Sequence, residues 1–124
     1  MKHPPPVVLV VHPEAEERTS LYALLAADGH AVATRSGGFE ALEYISRHRP
    51  EAVLASTHLP DSGVKEFLRG IGRAGFDANT ILLAGPDDWE VFAHPAGAME
   101  VLAWPGRKKE ILAAVGRRLE RGCP

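Results

Sequence analysis

Side chains able to bind a metal or move a proton directly follow two apolar segments of the chain. They are His12 and Glu14 after Val7–Val11, and Ser56 and His58 after Ala52–Ala55. Imidazole and carboxylate groups are zinc ligands, so these histidines and Glu14, together with His94, form one candidate metal site. A chance cluster among the six histidines is the competing interpretation. A serine hydroxyl becomes a strong nucleophile only when a base activates it, and His12 is the candidate base for Ser56.

Composition limits the classes of protein to consider. The chain has 124 residues, the size of one domain, and its 14 basic and 16 acidic residues give a net charge of −2. That balance favours neither nucleic acid nor an anionic membrane as the main partner. The single cysteine, Cys123, excludes an intrachain disulfide and a cysteine-based metal cage. Because Val7–Val11 is too short for a signal peptide or a membrane span, we expect a soluble cytoplasmic protein.

Short apolar segments alternate with segments of helical period. The predicted strands are Val7–Val11, His30–Thr34, Ala52–Ala55, Thr80–Ala84 and Met99–Ala103. The predicted helices are Ala15–Asp28, Phe39–His48, Val64–Ile71, Asp87–His94 and Arg107–Leu119. Several strands are apolar on both faces, which is typical of parallel strands covered by helices on each side. We expect a leader over 1–6, one domain over 7–121 and a tail over 122–124.

Five alternations of strand and helix predict an α/β fold with a doubly wound, five-stranded parallel sheet. The expected strand order is 2-1-3-4-5, which puts the switch point between strands 1 and 3. Ligands of such sheets bind beyond the carboxyl ends of the strands. The residues at those ends are His12, Pro13, Glu14, Ser56, His58, Gly85 and Trp104.

Three motifs carry a resemblance to a known family. They are Val-Leu-Val-Val-His-Pro-Glu at 8–14, Arg-Pro-Glu-Ala-Val-Leu-Ala-Ser-Thr-His-Leu-Pro at 49–60, and Gly-Ala-Met-Glu-Val-Leu-Ala-Trp-Pro at 97–105. With them, the chain resembles the receiver domain of two-component response regulators from about Val7 to about Leu119. The resemblance implies the flavodoxin-like receiver fold and a cis peptide bond between Trp104 and Pro105.

The groups that perform the family's phosphoryl transfer are replaced in this chain. The family uses an acidic pair that helps to hold Mg²⁺, a phosphoacceptor aspartate, a hydroxyl residue and a lysine. Their places are taken by His12 and Pro13, Ser56, Gly85 (or Ala84, one residue earlier) and Trp104, with Glu14 just past the acidic pair. Mg²⁺ prefers oxygen ligands that include carboxylates, so we expect its binding to be lost. We expect no enzymatic activity and no other cofactor.

These departures indicate a degenerate receiver, or pseudo-receiver, that acts as a phosphorylation-independent protein-interaction module. The expected partner is another signalling protein: a kinase, a regulator, an effector or a second copy of the chain. The surface would be the face of the family's fourth helix, fifth strand and fifth helix, with Trp89, Phe92, Trp104 and Arg107 as candidate contacts. Neither nucleic acid nor a membrane is expected as a partner.

Two alternatives use the predicted strand-end pocket. The first is a ligand or metal sensor built from His12, Glu14, Ser56 and His58. The second, less favoured, is a Ser56-dependent phosphoacceptor. A literal G-x-G-x-x-G at Gly70–Gly75 ends a predicted helix and precedes a strand, so it indicates a helix exit and not a dinucleotide-binding loop.

Overall fold

The computed structural model describes residues 7–76, 79–85, 100–106 and 108–121. In chain order its elements are β1 (Val7–Val11), α1 (Ala15–Ala27), β2 (Ala31–Arg35), α2 (Gly38–His48), β3 (Ala52–Ser56), α3 (Gly63–Ala74), β4 (Thr80–Ala84), β5 (Glu100–Ala103) and α4 (Lys108–Arg121). The helix predicted over Asp87–His94, the leader and the tail lie outside the described residues, so α4 is the last predicted helix. No described helix combines the length and apolar character that a membrane span requires.

The strands form one parallel sheet in the order β2-β1-β3-β4-β5, which confirms the predicted fold and switch point. β3 and β4 are buried along their whole length, and β1 is buried from Val8 onward. Helices cover both faces of these central strands, so consecutive apolar residues are each buried on one side or the other. The carboxyl ends of β1, β3, β4 and β5 therefore meet at one edge.

Alternate residues of the sheet enter two separate hydrophobic clusters. Leu9 and Val11 of β1 pack in a cluster that contains residues of α2 and α3, including Phe67. Val8 and Val10 pack in the opposite cluster with residues of α1 and α4. The strand period of two thus distributes one apolar segment between two helical layers.

The third helix is longer than predicted. It was expected to end at Ile71, but α3 continues to Ala74 and ends at Gly75, whose φ is +78°. The interior glycine Gly70 allows α2 to approach closely, because a Cβ at this position would lie 2.6 Å from Leu42 Cδ1. The glycine motif ends a helix, as predicted, but only Gly75 lies at the exit, because Gly70 and Gly72 are inside α3.

Other boundaries differ by one or two residues, and α4 continues to Arg121 although its predicted end is Leu119. β2 was predicted to begin at His30 and begins at Ala31, because its five residues pair one to one with β1. β3 extends to Ser56, which pairs with Leu83, and β5 begins at Glu100. Asp28, predicted as the last residue of α1, is its C-cap.

Candidate functional site

A cavity of about 200 Å³ lies at the carboxyl ends of β1, β3, β4 and β5. Its described lining residues are His12, Pro13, Glu14, Ser56, Thr57, His58, Leu83, Gly85 and Trp104. The structure therefore brings together all seven residues that were predicted at the strand ends. Trp104, His12 and His58 line this cavity without filling it.

His12 is held as a neutral imidazole. Its side chain is buried, and the backbone N–H of Glu14 donates a hydrogen bond to Nδ1 at 3.1 Å. Since Nδ1 is an acceptor, the ring proton is on Nε2. Burial lowers the pKa of His12 below 6.5, against the opposing effect of the carboxylates of Glu17 and Glu14. At neutral pH, His12 therefore offers its site a hydrogen-bond donor.

The loop after β1 is held by a cation from the following helix. The guanidinium of Arg18 donates from Nη1 to the backbone carbonyls of His12 at 2.7 Å and Pro13 at 3.0 Å. Charge-assisted hydrogen bonds of this length are among the stronger polar contacts in proteins. Sequence reasoning missed Arg18, because a basic residue in the first half of a helix gives no signal that it folds back onto a loop.

Ser56 lies at the end of β3 and is buried. Its Oγ accepts a hydrogen bond at 3.0 Å from the backbone N–H of His58, whose side chain is exposed. His12 is a poor base for this hydroxyl, because Nδ1 already accepts a hydrogen bond and Nε2 carries a proton. None of the described residues accepts a hydrogen bond from the hydroxyl of Ser56.

Trp104 joins the end of β5 to α1. Its indole N–H donates to Glu17 Oε2 at 2.7 Å, and its backbone N–H donates to the carbonyl of Ala84 at 2.9 Å. The ring is half-buried and packs against the core cluster between the sheet, α1 and α4. The peptide bond between Trp104 and Pro105 is cis, as predicted. The role of Glu17 has no sequence signal, because 87 residues separate it from Trp104.

The loop after β3 is fastened to α2 by Asp61. Its carboxylate accepts hydrogen bonds from the backbone N–H groups of Gly38 at 3.0 Å and Phe39 at 3.1 Å. Slight burial raises the pKa of Asp61, but these hydrogen bonds outweigh it, so the net effect is a lowered pKa. A Cβ at Gly37 would displace the carboxylate of Asp61, so glycine at this position leaves room for the contact. Asp61 thus supplies the helix cap that Gly37 cannot.

The residues of the cavity do not fit Mg²⁺. This ion requires near-octahedral oxygen ligands, whereas the lining offers one exposed carboxylate, Glu14, beside the buried donor His12. Across the described ranges, no group of three or more His, Cys, Asp or Glu residues is placed to hold a metal. His12, His58 and Glu14 therefore do not form the candidate metal site by themselves, and His94 lies outside these ranges. Trp89, Phe92 and Arg107 also lie outside the described residues.

Sequence comparison finds relatives among response regulators. No family model matches the chain. Response regulator MprA from Mycobacterium sp. (strain KMS) is 31% identical over 80 residues, which cover 64% of this chain and 35% of the relative. MprA from Mycobacterium leprae (strain TN) is 30% identical over the same coverage. The aligned part thus spans about a third of the length of the curated relatives it matches.

Solved structures agree along nearly the whole chain. A response regulator receiver domain from Clostridium thermocellum superposes with a TM-score of 0.85 at 24% identity, covering 94% of this chain and 96% of that one. The chain has the receiver-domain fold. The receiver domain of a sensor histidine kinase from Pseudomonas aeruginosa PAO1 matches with a TM-score of 0.83 at 22% identity, covering 94% and 99%. That crystal structure has a magnesium ion coordinated in its active-site cleft.

Proposed function

We propose that the chain is a receiver domain of two-component signalling whose activity does not depend on phosphorylation. It would dock to another signalling protein, such as a kinase, a regulator or an effector. One observation carries this proposal: the strand-end cavity holds Ser56 at the end of β3, and no lysine or arginine is among its described lining residues.

The chemistry of phosphoryl transfer explains why this observation matters. Transfer depends on positioning and on stabilising the charge of the phosphoryl group, usually with metal ions and cationic side chains. Here the indole N–H of Trp104 is already bonded to Glu17, and no described residue accepts a hydrogen bond from the hydroxyl of Ser56. A receiver with this site keeps its surfaces for docking but has lost the means to be switched by phosphate.

The docking face is proposed from the sequence. Of its four candidate contacts, the structure describes Trp104 alone, and part of that ring packs against the protein core. Aromatic residues are enriched at the energetic centres of interfaces, which favours Trp89 as a contact. Trp89→Ala and Arg107→Glu are therefore expected to weaken binding to a partner or self-association. Analytical ultracentrifugation with and without Mg²⁺ and beryllofluoride measures self-association, and we expect no effect of these ions.

Intact-mass spectrometry tests the loss of phosphotransfer. The chain is incubated with Mg²⁺ and acetyl phosphate beside a phosphorylatable receiver domain, which shows that the donor is active. We expect the mass of this chain to stay unchanged. A covalent phosphoryl group that persists in Ser62→Ala but disappears in Ser56→Ala would identify Ser56 as a phosphoacceptor and overturn the proposal. Ser62 is a matched control because it lies in the same loop but does not line the cavity.

A second candidate function is ligand sensing at the strand-end cavity. The observation that favours it is the open volume of about 200 Å³ beside the buried polar side chains of His12 and Ser56. The two functions share one residue, because Trp104 lines the cavity and is also a candidate docking contact.

A further inference from the structure

We infer that the strand-end cavity binds a small zwitterion of the amino-acid type. The ligand's carboxylate would accept hydrogen bonds from His12 and Ser56, and its ammonium group would lie against Glu14. This inference rests on the second candidate function and uses none of the docking contacts Trp89, Phe92 and Arg107.

Two buried donors in the cavity lack acceptors. The side chains of His12 and Ser56 are only 8% and 5% exposed. Among the described residues, none accepts a hydrogen bond from Nε2–H of His12 or from the hydroxyl of Ser56, although both residues line the cavity. Buried polar groups in native proteins are nearly always hydrogen-bonded. Two such donors beside one cavity therefore indicate a ligand with acceptor oxygens.

The charges around the cavity decide which acceptor fits. The carboxylates of Glu14 and Glu17 both act on His12, so a simple anion would be repelled as it entered. Glu17 is engaged by the indole of Trp104, but the exposed carboxylate of Glu14 has no hydrogen bond or ion pair with any described residue. A simple cation would be disfavoured, because it could not accept a hydrogen bond from either of the two donors, His12 and Ser56. A molecule with a carboxylate at one end and an ammonium group at the other satisfies both ends of the site.

The size and the apolar walls limit the rest of the ligand. Leu83, Pro13 and the half-buried ring of Trp104 line the cavity between its polar groups. Since an apolar cavity of about 150 Å³ holds benzene, about 200 Å³ holds a molecule with roughly six to ten non-hydrogen atoms. An amino acid with a short aliphatic side chain has this size, and its side chain would contact the apolar wall.

Three matched probes test the inference in an amide-resolved NMR titration. L-valine has both charged groups, 3-methylbutanoate lacks the ammonium group, and 2-methylpropylamine lacks the carboxylate. We expect valine to give saturable shifts at His12, Ser56 and the indole of Trp104. Each analogue should bind at least about tenfold more weakly, because it loses a hydrogen-bonded ionic group. Valine should also raise the pKa of His12, because a nearby carboxylate favours the protonated ring.

Two variants remove one end of the site each. Ser56→Ala should weaken valine binding by about fivefold or more, and Glu14→Gln should do the same while reducing the preference over 3-methylbutanoate. Glu16→Gln is the control. Glu16 is exposed in the first turn of α1, two residues after Glu14, and does not line the cavity. The inference is wrong if valine gives no saturable shifts, if either analogue binds as tightly, or if Ser56→Ala and Glu14→Gln bind like Glu16→Gln. None of these results changes the mass measurement that tests the loss of phosphotransfer.

Discussion

Replacing Trp104 by phenylalanine removes the hydrogen bond that joins β5 to α1 and keeps an aromatic ring in place. The indole N–H lies 2.7 Å from a carboxylate oxygen of Glu17 in a partly buried position. A hydrogen bond to a charged group contributes about 1.5–3 kcal/mol to stability. Because Glu17 is half-exposed, water replaces part of this interaction in the variant. We therefore expect the hydrogen bond itself to contribute about 1 kcal/mol.

A double-mutant cycle separates this contribution from the packing that is lost with the smaller ring. The free energy of unfolding in urea is measured for the wild type, Trp104→Phe, Glu17→Ala and the double variant. The coupling energy should be about 1 kcal/mol, which corresponds to roughly 4 °C in melting temperature for a domain of this size. The cycle of Trp104→Phe with Glu16→Ala is the control and should show no coupling. A Glu17 coupling energy below about 0.3 kcal/mol would refute the assigned role of this hydrogen bond.

Three further predictions concern stability. Asp61→Ala should lower the free energy of unfolding by about 0.5–1 kcal/mol at neutral pH. The folded state lowers the pKa of Asp61, so this difference from the wild type should vanish as pH falls through the folded pKa, which is below 3.8. Urea unfolding of both proteins across that pH range measures the difference. Gly116→Ala, with open space around its new Cβ, should stabilise the protein by about 0.5–1 kcal/mol. Gly70→Ala should destabilise it by contact with Leu42, so melting temperatures that shift in the same direction would contradict the packing argument. Finally, the lowered pKa of His12 means that the unfolded chain binds a proton at this residue more readily than the folded protein does. The contribution of His12 to the free energy of unfolding is therefore largest above about pH 6.5 and is lost as pH falls through the folded pKa. His12→Gln should flatten the dependence of the unfolding midpoint on pH below about 6.5, and an unchanged pH profile would exclude this cause.

The fold was predictable because periodicity and burial agree in the central strands. Val7–Val11 and Thr80–Ala84 were predicted with the bounds that the structure shows, since a parallel strand covered on both faces is apolar throughout. The end of α3 was not predictable. Gly70 was interpreted as part of a helix exit, whereas its lack of a side chain allows contact with Leu42 on another helix. Such tertiary contacts override local propensity.

The candidate site was predictable in its location but not in its bonding. The rule that ligands bind at the carboxyl ends of parallel strands places His12, Ser56 and Trp104 at one edge. The hydrogen bonds of these residues depend on side-chain directions that the sequence does not encode locally. Glu17 and Arg18 are adjacent on α1, yet one binds an indole from β5 and the other binds the loop before its own helix.

The contact of Arg18 with the loop after β1 determines how this loop responds to the concentration of divalent ions in solution. A cation attached to the chain by covalent bonds has no dissociation constant, so its occupancy does not follow the composition of the solution. The carbonyls of His12 and Pro13 keep their hydrogen-bond donor whether divalent ions are abundant or scarce. Chelators should therefore leave the loop unchanged.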